Sequence, residues 1–486
     1  MQETIIPAPC EVSPGDGELR LPANPSISCP AAWEAEAGLV AAALGGNPSV
    51  QLEGAAGDVV LRETALPPEA YELRIGGRGV EIDAGSASGA YYAAQTLRQW
   101  LPQAGGAIPR AIIRDAPRFR WRALMIDPAR HFWNVDDIRR YIVAMASYKL
   151  NKLHLHLTDD QGWRLPCGKW PKLAAVAAWR RETEGDGERH GGIYTKEELQ
   201  GLVAFAARHH VELIPELDLP GHSQALLAAY PELACFPRDD FAVRTVPGVS
   251  EDLVCPGREA LHELYADLFR ELAEIFPSPY VHLGGDEAPL TRWEACPACR
   301  ALRQAEGLAT PREEMGWFFR KMSGLLERHG KRPLFWFEEN ASGYPAQAAV
   351  YAWRMGKTPD VMRLAREKGL PLICSPGEHA YFDYPQSGED APAHPGPVTT
   401  LEQVYRLDPG HGLPTGEQSH VWGAEATLWG ERVPDLDTAF HLTYPRALAF
   451  AEACWSQMPR RGWRHFALKL PEHLRALKKH GIGEMR

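Results

Sequence analysis

The sequence predicts an α/β chain: a (β/α)₈ TIM barrel over residues 118–486, ending in a C-terminal helix, behind a small α+β domain over residues 1–117. Three observations predict it. Eight short apolar runs recur beyond Phe119. Amphipathic stretches separate most of them, the strand–helix alternation that closes into a parallel barrel. The first 117 residues follow another pattern, rich in Gly, Pro and Ala.

In the small domain, SVQLEG, DVVLRET, YELRIGG and GVEIDAG alternate apolar and polar residues between turn residues, as half-buried strands do. AYYAAQTLRQWL has helical spacing. No chemistry is visible in this part. The barrel strands are expected at 123–127, 152–157, 211–218, 280–285, 332–337, 349–353, 370–375 and 421–429. Asn134 is placed to cap the helix VDDIRRYIVAMASYKL, its side-chain oxygen meeting free N–H groups at the helix start. Thr195 and Glu198 form a capping box before LQGLVAFAARHH. Residues 257–276, 311–329 and 358–368 carry the same period, YPRALAFAEACWS forms the last barrel helix, and the tail is one helix more. The run 376–420 lacks a period and reads as a long loop over one face.

Composition narrows the function. Charged residues are 24% and hydrophobic residues 45% of 486, ordinary values for a large globular core. The formal charge of −11 leaves no basic excess for a nucleic-acid backbone. No apolar run reaches the roughly 18 residues of a membrane span. MQETIIPAPC has no basic segment before an apolar core, so the chain reads as cytoplasmic as written, or as periplasmic or secreted if a leader was removed. Nine scattered cysteines are no disulfide framework. The one suggestive pair, Cys296 and Cys299 in CPAC, lacks a second CxxC. It is expected as a reduced pair or a local disulfide rather than a zinc site, and no metal is assigned.

Barrel enzymes carry their chemistry on the loops after the strands. Arg130 follows the first strand, Asp159 and Asp160 the second, His222 the third, Asp286 and Glu287 the fourth. Trp336 lies near the end of the fifth and Trp353 ends the sixth. Tyr381 and Asp383 follow the seventh, Trp429 and Glu431 the eighth. GGDE is the sharpest signal. Two adjacent carboxylates at a strand end can divide the work, one as an acid/base and one held ionised, while the Gly pair admits a ligand close to the backbone. The alternative is a solvated surface turn. Trp336, Trp353 and Trp429 fit either sugar-stacking walls or core packing. Arg130 fits a donor fork for vicinal hydroxyls or an ion pair with Asp127. Glu431 fits a hydroxyl acceptor or a partner of Arg432 or Arg292. Trp422 fits a wall or the core.

With these residues in place, the chain resembles the family 20 glycoside hydrolases, the β-N-acetylhexosaminidases. DPARHFW, YKLNKLHLHLTDDQGWR, ELDLPGH, HLGGDE, YFD and ATLWGE carry the resemblance, in order, from about Arg118 to Trp455. It implies an exo-acting, retaining hydrolase of glycans with a terminal β-linked GlcNAc or GalNAc. The substrate's own 2-acetamido oxygen acts as nucleophile. It implies Glu287 as general acid/base, Asp286 on the acetamido N–H, and Tyr381 on the acetamido oxygen. Trp336, Trp353 and Trp429 would box the acetamido group, and Arg130, Asp383 and Glu431 would bind hydroxyls. Asp159 and His222 would support Glu287. No cofactor is implied.

Three alternatives stand beside this reading. One is a relative that releases a disaccharide such as lacto-N-biose. Another is a metal-dependent amidohydrolase built on His154, His156, His222 and Asp286. The third is a sugar-binding barrel without turnover.

Overall fold

The computed structural model describes residues 4–482 apart from 46–47, 55, 102–106, 339–342, 389, 391–392, 414 and 480. A seven-stranded mixed sheet comes first. Its order across the sheet is Glu11–Leu19, Ile108–Asp115, Tyr71–Gly76, Gly79–Ala84, Val59–Glu63, Ser26–Cys29 and Ser49–Leu52. Four of these are the strands expected from alternation. The three others lack a readable pattern for physical reasons. Glu11–Leu19 is an edge strand interrupted by an irregular register between Pro14 and Glu18, where an edge tolerates proline. Ser26–Cys29 is a four-residue run between prolines, and Ile108–Asp115 carries Pro109 at its start.

Helix Ala87–Trp100 packs on this sheet and starts at Ser86, whose side chain accepts from the Ser88 N–H. Its residues Gly89 to Leu97 are all buried, around the whole helix. The cause is a second partner: its Tyr92 meets Trp455 of the barrel edge to face, with ring centroids 5.0 Å apart. A helix buried between two layers needs no polar face.

Eight parallel strands then close a barrel: Trp121–Ile126, Lys152–His156, Glu212–Leu219, Tyr280–Gly284, Arg332–Trp336, Ala349–Ala352, Leu372–Cys374 and Val421–Leu428. The ring closes where Gly423 to Leu428 pair with Trp121 to Ile126. Helices Val135–Ala146, Lys196–Arg208, Glu259–Ile275, Pro311–Glu327 and Thr358–Glu367 lie outside. Asn134 caps the first, and Thr195 with Glu198 makes both bonds of a capping box on the second, as the sequence requires. The alternation fails in one place. Among the described residues no helix joins the fifth strand to the sixth. The run 376–420 carries two short α-helices, Gly377–Ala380 and Leu401–Tyr405, and a 3-10 turn at Thr415–His420, and its residues 389, 391–392 and 414 lie outside the described ones. Arg446–Trp455 packs on the barrel, and Trp463–Lys479 is the C-terminal helix.

Inside the ring, Trp121, Ala123, Ile214, Leu334, Ala349, Tyr351, Ile373 and Trp422 fill the lower part with apolar side chains. The polar side chains of the strands therefore gather above them, towards the strand C-termini. The sheet docks on the barrel through a buried ion pair. Lys149 Nζ lies 2.7 Å from Asp115 Oδ2, with both side chains fully buried. Tyr71 Oη and Trp455 Nε1 donate to the same carboxylate at 2.7 and 2.9 Å.

Lys149→Met leaves the buried Asp115 carboxyl without its cation. Breaking such a pair costs about 3–5 kcal/mol. A large drop in the urea midpoint is expected, with part of it recovered when Asp115→Asn is added.

Candidate active site

The site rests on a buried carboxylate. Glu216 stands on the third strand with no solvent exposure. His156 Nδ1 makes a short contact with its Oε2. His154 Nε2 reaches the same oxygen at 3.1 Å, and His282 Nδ1 reaches Oε1 at 2.7 Å. Trp336 Nε1 donates to Oε1 at 2.9 Å. Neighbouring strands supply these groups because residues two apart on a strand point to one face. His154 also meets Glu425 Oε1 at 2.7 Å, and the Tyr351 hydroxyl donates to the other oxygen of Glu425 at 3.0 Å. Burial alone would make these imidazoles neutral. For His154 the Glu425 and Glu216 carboxylates outweigh it and raise its pKa to about 9. For His156, Glu216 and Asp159 do the same. Their charges hold Glu216 ionised well below the usual carboxylate range, against burial.

From this floor a polar chain climbs to the mouth. Arg130 Nη2 lies 2.8 Å from Asp159 Oδ2, and its Nη1 lies 3.1 Å from Asp127. The Asp159 carboxylate also takes His156 Nε2 at 2.8 Å and His222 Nδ1 at 3.2 Å. Although buried, it titrates far below its ordinary value because Arg130 and His222 stabilise the anion. The other nitrogen of His222 faces both acids of GGDE, 3.7 Å from Asp286 Oδ2 and 3.8 Å from Glu287 Oε2.

The backbone carrying these groups is bent into rare conformations. His222 and Glu287 have φ of +50° and +47°, left-handed values that cost energy for a residue with a Cβ. Gly284, at φ +63°, leaves no choice of residue: a Cβ there would fall 1.7 Å from Asp218 Oδ1. Glycine there lets the turn after the fourth strand pass close to the Asp218 carboxylate. Asp286 is buried, and the Glu287 side chain is 38% exposed. Burial raises the Asp286 pKa to about 7; His222 opposes this, and the Glu216, Glu287 and Glu338 carboxylates add to it.

Aromatic rings line the mouth. Trp429 lies 5.8 Å from Trp336 and 6.4 Å from Tyr381, centroid to centroid, and the Arg130 guanidinium lies 5.1 Å from its ring. Trp353 is pinned to the fifth strand by Nε1 donating to the Phe337 carbonyl at 3.2 Å. Tyr381 bridges to Thr427, while Phe382 between it and Asp383 turns into the core. Arg446, fully buried, donates to the carbonyls of Phe382, Tyr384 and Thr399 and so anchors that loop. Burial, then the Glu431 carboxylate, pushes Asp383 up to about 8. Four buried polar atoms here have no protein partner: His222 Nε2, Asp286 Oδ1, Asp383 Oδ1 and Glu431 Oε2. A polar ligand at the mouth would satisfy them.

The structure thus brings Arg130, Asp159, His222, Asp286, Glu287, Trp336, Trp353, Tyr381, Asp383, Trp429 and Glu431 to one end of the barrel. Several expectations change. Trp336 is a floor rather than an open wall, 1% exposed and bonded to Glu216. Arg130 is already ion-paired, with Asp159 and Asp127, and Glu431 is 4.0 Å from it. Arg432 pairs with Glu184, and Arg292 with Glu251 and Asp252, so neither claims Glu431. Asp160 faces away from the acids and accepts the N–H groups of Gln224 and Ser250. Trp422 sits at the opposite end of the barrel, 5.8 Å from Trp121 and beneath the Arg120 guanidinium, and is core. His154 is taken up by Glu425 and Glu216, and among the described residues no ligand cluster unites it with His156, His222 and Asp286. Sequence reasoning missed Glu216, Asp218, His282 and Glu425. Their signal was available: acids and histidines at inward positions of otherwise apolar strands.

The description "Glycosyl hydrolase family 20, catalytic domain" matches residues 119–458, and "Glycosyl hydrolase family 20, domain 2" matches residues 2–116. A β-hexosaminidase of Akkermansia muciniphila is 46% identical over 417 residues, 85% of each chain. One of Porphyromonas gingivalis is 36% identical over 98% of this chain and 64% of its own length. A solved β-N-acetylhexosaminidase superposes with a TM-score of 0.89 at 40% identity, over 100% of this chain and 97% of that one.

A carboxyl raised by folding stabilises the fold while protonated, so its contribution is full below the unfolded value and fades as pH rises through the folded one. Asp383→Asn should therefore leave stability nearly unchanged near pH 3. As pH rises from about 4 through the folded value it should become stabilising, read at pH 9 as a widened gap in thermal midpoint from the parent.

Proposed function

Because the chain belongs to glycosyl hydrolase family 20, we propose that it is an exo-acting, retaining β-N-acetylhexosaminidase working by substrate-assisted catalysis. Its substrates are glycans ending in β-linked GlcNAc or GalNAc. One observation carries the reading: a buried carboxyl and an exposed carboxyl, adjacent in sequence, share one histidine at the rim of an aromatic cup.

Each acid has the environment its task requires. Glu287 stands in reach of solvent and of a leaving group. It gives its proton to the glycosidic oxygen as that bond breaks, then takes one from the water that opens the intermediate. The acetamido carbonyl oxygen closes on the anomeric carbon and forms an oxazolinium ring, so no enzyme nucleophile is needed. Asp286, as carboxylate, accepts the acetamido N–H and faces the positive charge that develops on the ring. Fixed orientation and a preplaced charge are the two largest sources of help for such a step. Tyr381 donates to the acetamido oxygen. Trp336 forms the bottom of the acetamido cup and Trp353 and Trp429 its sides. Arg130, held rigid by Asp127 and Asp159, presents its fork to ring hydroxyls, with Asp383 and Glu431 as acceptors. His222 carries the order of the Arg130–Asp159 pair to both acids.

Turnover of nitrophenyl β-GlcNAc with EDTA present tests the reaction class. Glu287→Gln should cost about 10²–10⁴-fold on substrates with poor leaving groups and far less on nitrophenyl glycosides, which need little protonation. Equal losses on both would remove Glu287 from the acid role. Asp286 must be ionised to act, and burial raises its pKa. The acid limb of kcat/KM should therefore lie near pH 7, rising with pH, and Asp286→Asn should abolish the limb together with most of the rate.

A further inference from the structure

Outside the sugar site, four cysteines from three separate stretches of chain meet in the interior. Cys235 Sγ lies 3.8 Å from Cys299 Sγ, and Cys255 Sγ lies 3.7 Å from Cys296 and 3.5 Å from Cys299. All four sulfurs fall within 4.8 Å of one another, and none of the four residues is more than 4% exposed. We infer that Cys235, Cys255, Cys296 and Cys299 form a closed tetrathiolate site for one zinc ion.

The distances favour an ion over disulfides. A disulfide needs two sulfurs about 2.05 Å apart, and all nine cysteines here are free. Four sulfurs at about 2.3 Å from a tetrahedral zinc stand about 3.8 Å from each other, close to the separations seen. Buried thiols packed only as small apolar groups have no reason to gather four at a time. A dication gives one, since it makes thiolates stable in the interior.

The surrounding backbone is built around the cluster. Ala234 and Val254 pair as an antiparallel bridge, so Cys235 and Cys255 stand diagonally across it on one face. The Cys255 N–H donates to the Leu233 carbonyl at 2.8 Å. Cys296 is the N-cap of helix Pro297–Glu306, and Cys299 lies in its first turn. Thiolates are favoured at that end of a helix. Gly257 lets the two halves close: a Cβ there would lie 2.5 Å from the Ala298 carbonyl oxygen. Trp293 Nε1 donates to the Val254 carbonyl at 2.9 Å and ties the halves again.

The site joins two loops that matter. One carries His222, and the Val254 N–H donates to the Pro220 carbonyl beside it at 3.3 Å. The other leaves the fourth strand through Asp286 and Glu287 and runs directly into Cys296. The zinc is thus a structural knot under the loops that hold the two acids and their shared histidine.

The test is metal analysis of the intact chain grown in medium holding both zinc and iron. One zinc per chain is expected, retained through gel filtration in EDTA and released when a mercurial titrates the thiols, as read by a chromogenic chelator. Cobalt in its place should give thiolate charge-transfer bands and the intense visible absorption of a tetrahedral ion. Cys235→Ser and Cys299→Ser should lower zinc content and thermal midpoint together, and the wild-type measurements stand even where those variants do not fold. Metal-free protein with these four thiols reactive would overturn the site, as would disulfide-linked peptides from 235, 255, 296 or 299. One iron per chain would overturn the choice of ion.

Discussion

A carboxylate with no exposure to water, Glu216, sets the terms for the rest of the barrel mouth. An isolated ion at that depth would take a proton instead. It stays ionised because three imidazoles and an indole N–H surround it. Each partner is locked in return. His156 is oriented by Glu216 on one nitrogen and offers the other to Asp159. Asp159 in turn fixes Arg130 and His222. The position of His222 beside the two acids at the rim therefore traces back, bond by bond, to a charge balance several residues deeper.

Rigidity is supplied from outside as well. The seven-stranded sheet adds no group to the mouth, but it closes the side of the barrel on which Trp455 and Lys149 lie. Asp115 ends that sheet and accepts bonds from Lys149, Tyr71 and Trp455 at once. A charged group so fully satisfied makes a specific joint, whereas an apolar face alone would allow sliding. Arg122 acts similarly, with no exposure and with bonds to Glu69 and to the carbonyls of Phe119 and Lys149.

Against this stiff frame the turn after the fourth barrel strand stores strain. His222 and Glu287 hold left-handed φ values, and Gly284 stands where a Cβ would collide with Asp218, at the end of the barrel where the acids crowd. Burial raises the Asp286 pKa, and the carboxylates around it add to the rise. The exposed position of Glu287 gives the neighbouring acid a different environment. Two residues one peptide bond apart thus sit in separate environments.

The sequence by itself determined the ring of strands, since a buried parallel strand must be apolar and its helix must be amphipathic. It also determined which residues lie at strand ends, because chain order alone places Arg130, His222, Asp286, Trp353 and Trp429 there. What it left open needed the third dimension. Whether Trp336 was wall or floor, and Trp422 wall or core, depended on depth in the barrel, which periodicity does not encode. Glu216, His282 and Glu425 are meaningful only as a group, joined through His154 across strands far apart in the chain. The cysteines teach the same lesson: CPAC looked alone because its partners, Cys235 and Cys255, have no regular spacing. Local chemistry is written in short-range pattern, but charge balance and ligand sets are made by long-range contacts, and only the folded chain decides those.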